Sequence, residues 1–180
     1  MTPDEAAAFL AEIGFEDVDH SNRSLTVHLI ETQQLLERWG CHERVSRAGL
    51  IHSIYGTDYF RQQSVDPSER ERISALAGTE AERLAYLFGV MKRDSFYRNF
   101  TAADGPPMVV DRFKGASIPL TEQELSDLAH IEVANRLEQQ PHIRPQKRYF
   151  RRAELHAMCP RLNPAARAAL DEAYDHPPDA

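Results

Sequence analysis

Cysteine is scarce: Cys41 and Cys159 are the only two in 180 residues. So few thiols form neither a disulfide framework nor a zinc ribbon, and they suit a reducing, cytoplasmic setting. Long apolar runs are missing as well. None approaches the roughly 20 residues that cross a bilayer, so no membrane partner is expected. The opening MTPDEAAAFLAEIGFEDVDH is acidic and has no extended apolar core, which argues against a secretory leader. Positive charge is in deficit: 21 Lys and Arg against 28 Asp and Glu leave a net charge of −7. A general nucleic-acid binder would show the opposite balance, so no nucleic acid is expected as a partner. Repeats, low-complexity blocks and linkers are absent too. One domain over residues 1–180 is therefore expected, with residues 174–180 as a frayed tail.

What the chain does contain is clear helix punctuation. Thr2-Pro3-Asp4-Glu5 reads as a capping box with proline in the first turn, and predicts a helix over about residues 3–13. Ser21 or Ser24 can cap a second helix that runs to Trp39, with Leu25, Leu29, Leu36 and Trp39 at helical spacing. A third is predicted over residues 42–55, its inner face formed by Val45, Ala48, Gly49 and His52. Further helices are predicted from Asp66-Pro67 to Gly78, from a Thr79/Glu82 capping box onward, and from a Thr121/Glu124 box to about Gln140. PQKRYFRRAELHAM reads as a basic amphipathic helix, and Asn163-Pro164 opens the last one. MVVDRFKGASIPL is the one plausible hairpin. The polar stretch 92–107 reads as a loop with at most a short turn of helix, and the sequence does not say whether it acts as a lid. The fold class is all-α: about seven helices with at most one small β-hairpin.

Two histidines stand out. His28 flanks the apolar stripe of the second helix, and His52 lies on the inner face of the third, so packing of these neighbours would bring both imidazoles together. Neutral imidazoles suit zinc, iron and manganese, although zinc enzymes normally supply three or more protein ligands. Asp58, Glu132 and His20 are the candidates to complete such a set, with Asp58 placed first.

VHLIETQQLLERWG and VSRAGLIHSIYGT resemble the core of the HD superfamily of metal-dependent enzymes, and IEVANRLEQQ is similar to the late LADRLHN-type motif of alarmone hydrolases. The HSIYGT form also resembles an uncharacterised family of small bacterial and plant domains with an HSxYGT motif. The resemblance implies an HD-domain-like helical bundle, a divalent ion (Fe, Mn or Zn), and His28 and His52 as ligands. It also marks two departures: Ser53 stands where an aspartate follows the second histidine, and Asn135 where the late aspartate belongs. Serine's hydroxyl is a poor ligand for a divalent ion, so replacement ligands or loss of the metal is expected.

Tyr55 and Ser53 are the candidate catalytic groups beside His52. Arg72, Arg93 and Arg112, with Asn135, are candidate substrate-binding residues, because the guanidinium fork suits phosphate or carboxylate. The expected function is metal-dependent hydrolysis, or iron-dependent oxygenation, of a small polar or anionic molecule such as a phosphorylated metabolite. The alternative is a catalytically degenerate domain that binds a small molecule or protein without metal chemistry.

Overall fold

The computed structural model describes residues 1–174 except 16, 18, 21, 22, 103 and 104. Thr2 and Glu5 form the reciprocal capping box at the start of α1 (Pro3–Glu12). A two-residue ladder, β1 (Asp19–His20) against β2 (Arg23–Ser24), leads into α2 (Leu25–Arg38). The Ser24 hydroxyl caps α2; Ser21, the other expected cap, lies outside the described residues. α3 (Glu43–Ile51), α4 (Arg70–Ala77), α5 (Thr79–Val90) and α6 (Arg93–Thr101) follow. The hairpin of β3 (Met108–Val110) and β4 (Ser117–Pro119) precedes the long α7 (Glu122–Gln139), then come α8 (Arg152–Ala157) and α9 (Pro164–Tyr174). The protein is mainly helical with a small hairpin, as its sequence predicts. It has nine α-helices among the described residues, not about seven, and a second tiny ladder beside the hairpin. No helix among the described residues is long and apolar enough to cross a membrane.

α7 is the central post. Its Thr121/Glu124 box fixes the start, and Leu128, Ala129, Ile131, Val133 and Ala134 are fully buried, so apolar contact surrounds it. It packs against α2, α3, α5 and α9. α2 and α3 each serve two apolar clusters. Leu36, Trp39, Val45 and Ala48 join the cluster around α7, whereas Leu25, Leu29, Leu50 and Ile51 join a second one with α1 and α4. Complete burial of each such leucine stabilises the fold by about 1.5–3 kcal/mol.

Five local expectations are corrected. Residues 93–101 are the packed helix α6, more than the short turn expected within a loop. Phe96 and Tyr97 are buried, and Asp58 accepts the Arg93 N–H at 3.0 Å in place of a side-chain cap. α3 stops at Ile51, because His52 turns its Nδ1 onto the Gly49 carbonyl at 2.6 Å and the chain tightens into the Gly56 turn. The Thr79/Glu82 box does not form, since Glu82 is drawn inward to partners in the core. The basic helix is shortened to α8, because Arg151 adopts a left-handed backbone (φ 67°) that directs its guanidinium to Asp94 and Glu154. Tyr174, expected at the head of the frayed tail, is the buried end of α9; residues 175–180 lie outside the described residues.

Two glycines permit close helix approach. A Cβ on Gly49 would lie 2.4 Å from Leu36 Cδ1, the movable end of a side chain, whereas one on Gly89 would lie 2.9 Å from the Gly56 carbonyl oxygen, which is backbone. Gly89→Ala therefore lowers the unfolding free energy by about 1–2 kcal/mol in urea denaturation: overpacking costs about 1–3 kcal/mol, and better helix propensity returns up to about 1. A variant as stable as the wild-type chain would contradict this close contact.

Candidate functional site

His28 lies one turn into α2 and His52 caps the end of α3, and each is 1% exposed. The packing of α2 on α3 brings their Nε2 atoms to 3.3 Å, with the rings nearly perpendicular. The outer nitrogen of each ring is engaged. His52 Nδ1 bonds the Gly49 carbonyl, and His28 Nδ1 contacts the Glu138 carboxylate from α7. A carbonyl can only accept, so His52 carries a proton on Nδ1; an ionised Glu138 imposes the same on His28. In the neutral rings both Nε2 lone pairs then face one another. A cation between them, either a proton or a metal ion, turns that repulsion into attraction. The edge of Phe88 closes the site beside His52, with centroids 5.1 Å apart.

Glu138 is the member of this candidate site that the sequence did not flag. It lies three residues beyond Asn135, one turn further along α7, inside the same IEVANRLEQQ segment. Its carboxylate faces two ways. Inward it holds His28; outward it lines a recess of about 520 Å³ with Glu31, Arg38 and His142. Ligand atoms of Glu31, Glu138 and His142 all lie within 4.8 Å of one another. Charge periodicity on α7 could have flagged Glu138, but only contact with α2 marks it as the acid that meets a histidine.

The other expected site residues are dispersed. Ser53 is buried after His52, and its carbonyl closes the turn to Gly56. Tyr55 donates its phenol to Glu82 at 3.0 Å, and Glu82 takes a two-pronged ion pair from Arg70 at 2.7 and 2.9 Å. Burial first, and the Glu82 charge second, push the Tyr55 pKa well above the ordinary tyrosine range. That environment makes it a structural donor and a poor acid catalyst. Asp58 caps α6, and among the described residues it forms no three-ligand group with His28 and His52. Asn135 accepts from Gln139 at 2.6 Å.

The arginines separate likewise. Arg72 caps the end of α1 through the Ile13 carbonyl and pairs with Glu69. Arg93 is buried, stacked 3.6 Å over Phe88, with one nitrogen 3.1 Å from Glu132. Tyr97 donates to the other Glu132 oxygen at 2.6 Å, so Glu132, a candidate ligand by sequence, is committed to this cluster. Burial, then the Glu132 charge, raises the Tyr97 pKa far above its usual value. Arg112 lines a surface recess. It is anchored on the Gly89 carbonyl at 2.9 Å and lines a recess of about 700 Å³ with Arg61, Lys92 and Arg98. Burial lowers its pKa, and the Asp58 charge opposes that shift.

Both buried phenols have folded pKa values above the unfolded value of about 10. Their contribution to stability is therefore intact below that pH and is lost as pH rises past it, when the unfolded chain releases the protons first. Tyr55→Phe lowers stability at pH 7 by about 1 kcal/mol, one buried hydrogen bond, and makes the alkaline decline shallower. Urea denaturation between neutral pH and pH above 10 measures both; an unchanged alkaline slope would remove Tyr55 as a contributor. Compared with known proteins, residues 9–93 match the model of a family described as a domain of unknown function (DUF6817). That stretch holds both histidines and ends at the first residue of α6, leaving Glu138 beyond it. No curated protein and no solved structure matches the chain.

Proposed function

We propose that the protein is a divergent HD-type, metal-dependent enzyme acting on a small polar or phosphorylated metabolite, hydrolytically in the first instance. The observation that carries this reading is the convergence of His28 and His52 Nε2 at 3.3 Å while both Nδ1 atoms are held from behind. Histidines that ligate metals characteristically donate their other ring proton to a carboxylate or a backbone carbonyl, which fixes the tautomer and raises the basicity of the ligating nitrogen. Here Glu138 and the Gly49 carbonyl fill those two roles. Two imidazoles fit zinc, iron or manganese as part of a ligand set. β1 packs on α2, so the backbone brings His20 to the helix that carries His28; the His20 side chain lies outside the described residues.

In this reading the acid that HD-like sites need has moved, not vanished. Ser53 and Asn135 carry no charge, but Glu138 returns one carboxylate to the same helix. It orients His28 and does not itself complete the inner set. The ion, when bound, supplies Lewis acidity toward a phosphoryl or carbonyl oxygen. His28 and His52 hold it, Glu138 keeps the Nδ1 proton in place, and Phe88 limits water on one side. Arg112 and its neighbours give an anionic substrate a locally positive approach on an acidic protein. A cytoplasmic setting is part of this reading, because a chain with only two cysteines suits a reducing compartment.

A second reading, a metal-free binding domain, is favoured by charge balance. One proton shared between the two Nε2 atoms neutralises Glu138, so the buried triad is tolerable without a metal. Metal analysis separates the two. Protein purified without chelator or histidine tag is expected to carry about one equivalent of zinc, iron or manganese. His28→Ala and His52→Ala should abolish it, and Glu138→Gln should weaken affinity about 10- to 100-fold. Protein that stays metal-free after supplementation with all three ions would overturn the metalloenzyme reading in favour of the shared proton.

A further inference from the structure

On the α1 side of the molecule, α1, α2 and α3 enclose a recess of about 760 Å³ that shares no lining residue with the one beside Glu138. Gln33 and Ser46 lie in its wall, 1% and 3% exposed. Gln33 Oε1 and Ser46 Oγ are both buried without a hydrogen-bond partner. Leaving such an oxygen unsatisfied costs about 1–3 kcal/mol. Gln33 is not free to turn its amide round, because Nε2 donates to Glu37 Oε1 at 3.1 Å and so presents the carbonyl oxygen. Both residues line the recess, so a donor seated there would satisfy the Gln33 carbonyl oxygen, while the Ser46 hydroxyl can accept or donate.

The rim says what kind of donor. Glu5, Glu12, Glu37 and Glu43 line it against a single Arg47, and Arg47 is already paired with Glu43 at 2.7 Å. The Met1 amino group rests on Glu37 Oε1 at 3.3 Å, at the rim, and leaves Gln33 Oε1 and Ser46 Oγ unpartnered. The remaining field is negative. A compact divalent ion is a poor match, since among the described residues no three carboxylate or thiol ligand atoms here lie within 4.8 Å of one another. Phe9, half-buried in the wall, adds an aromatic surface of the kind that attracts organic cations.

We propose that this recess binds a small organic ammonium compound, whose N–H groups satisfy Gln33 Oε1 and Ser46 Oγ while the glutamates balance its charge. The site is independent of the histidine pair and of any metal held there.

The probe is 1,4-diaminobutane, with 1,4-butanediol as the uncharged control, titrated calorimetrically into the full chain near neutral pH and physiological salt. The diamine is expected to bind with saturable heat and the diol not at all. Gln33→Leu with Ser46→Ala should weaken diamine binding at least tenfold, and His28→Ala should leave it unchanged. In the wild-type chain, titration should also shift the Gln33 side-chain amide and Ser46 backbone amide resonances, a measurement that stands even where the double variant fails to fold. No saturable heat, equal binding of the diol, equal binding by the double variant, or unmoved Gln33 and Ser46 resonances would each overturn the proposal.

Discussion

The Glu138–His28 contact joins two distant parts of the chain. It reaches across 110 residues, from the last turn of α7 to the second turn of α2, and continues through His52 to the Gly49 carbonyl. Three helices therefore meet on one buried line of polar atoms. Such groups are expensive to desolvate and tolerable only when each finds its partner, so the line fixes the relative placement of α2, α3 and α7 more narrowly than apolar contact alone. Gly49 is part of the same constraint. It supplies the carbonyl for His52, and its missing side chain makes room for Leu36 of α2.

A second pattern follows from charge. The protein is acidic, yet three glutamates are sequestered in its interior, each given a specific partner. Glu82 is held by Arg70 and Tyr55, Glu132 by Arg93 and Tyr97, and Glu138 by His28. Two of the three partners are arginine with tyrosine, which is a stabilising arrangement with no reactive group left over. The third is histidine, whose second ring nitrogen can hold a proton or a metal ion. That difference in chemistry, more than burial, separates the histidine pair from the other two clusters as a functional candidate.

Most of the fold was legible because its signals are local. Thr2 with Glu5, Ser24, and Thr121 with Glu124 each cap within three residues, and the structure uses all of them. Expectations failed where a distant partner outweighed a local one. Glu82 left its box for Tyr55 and Arg70. The stretch around Phe96 and Tyr97, polar by composition, became a helix because those two rings found the core beside α8 and β3.

The candidate site divides in the same way. The sequence alone placed His28 and His52 on facing sides of adjacent helices, since helical periodicity and a short connection are enough for that. Tertiary structure alone decided which nitrogen of each ring turns inward, because that depends on an acceptor behind it, and Glu138 arrives from far along the chain. It also decided which charges are spoken for: Arg72, Arg93, Tyr55 and Asp58 all looked free in sequence, and all are committed to carbonyls, carboxylates or a helix end. Periodicity specifies a face. Only packing specifies the partner that fills it, because a buried polar group takes whichever neighbour satisfies it, wherever in the chain that neighbour lies.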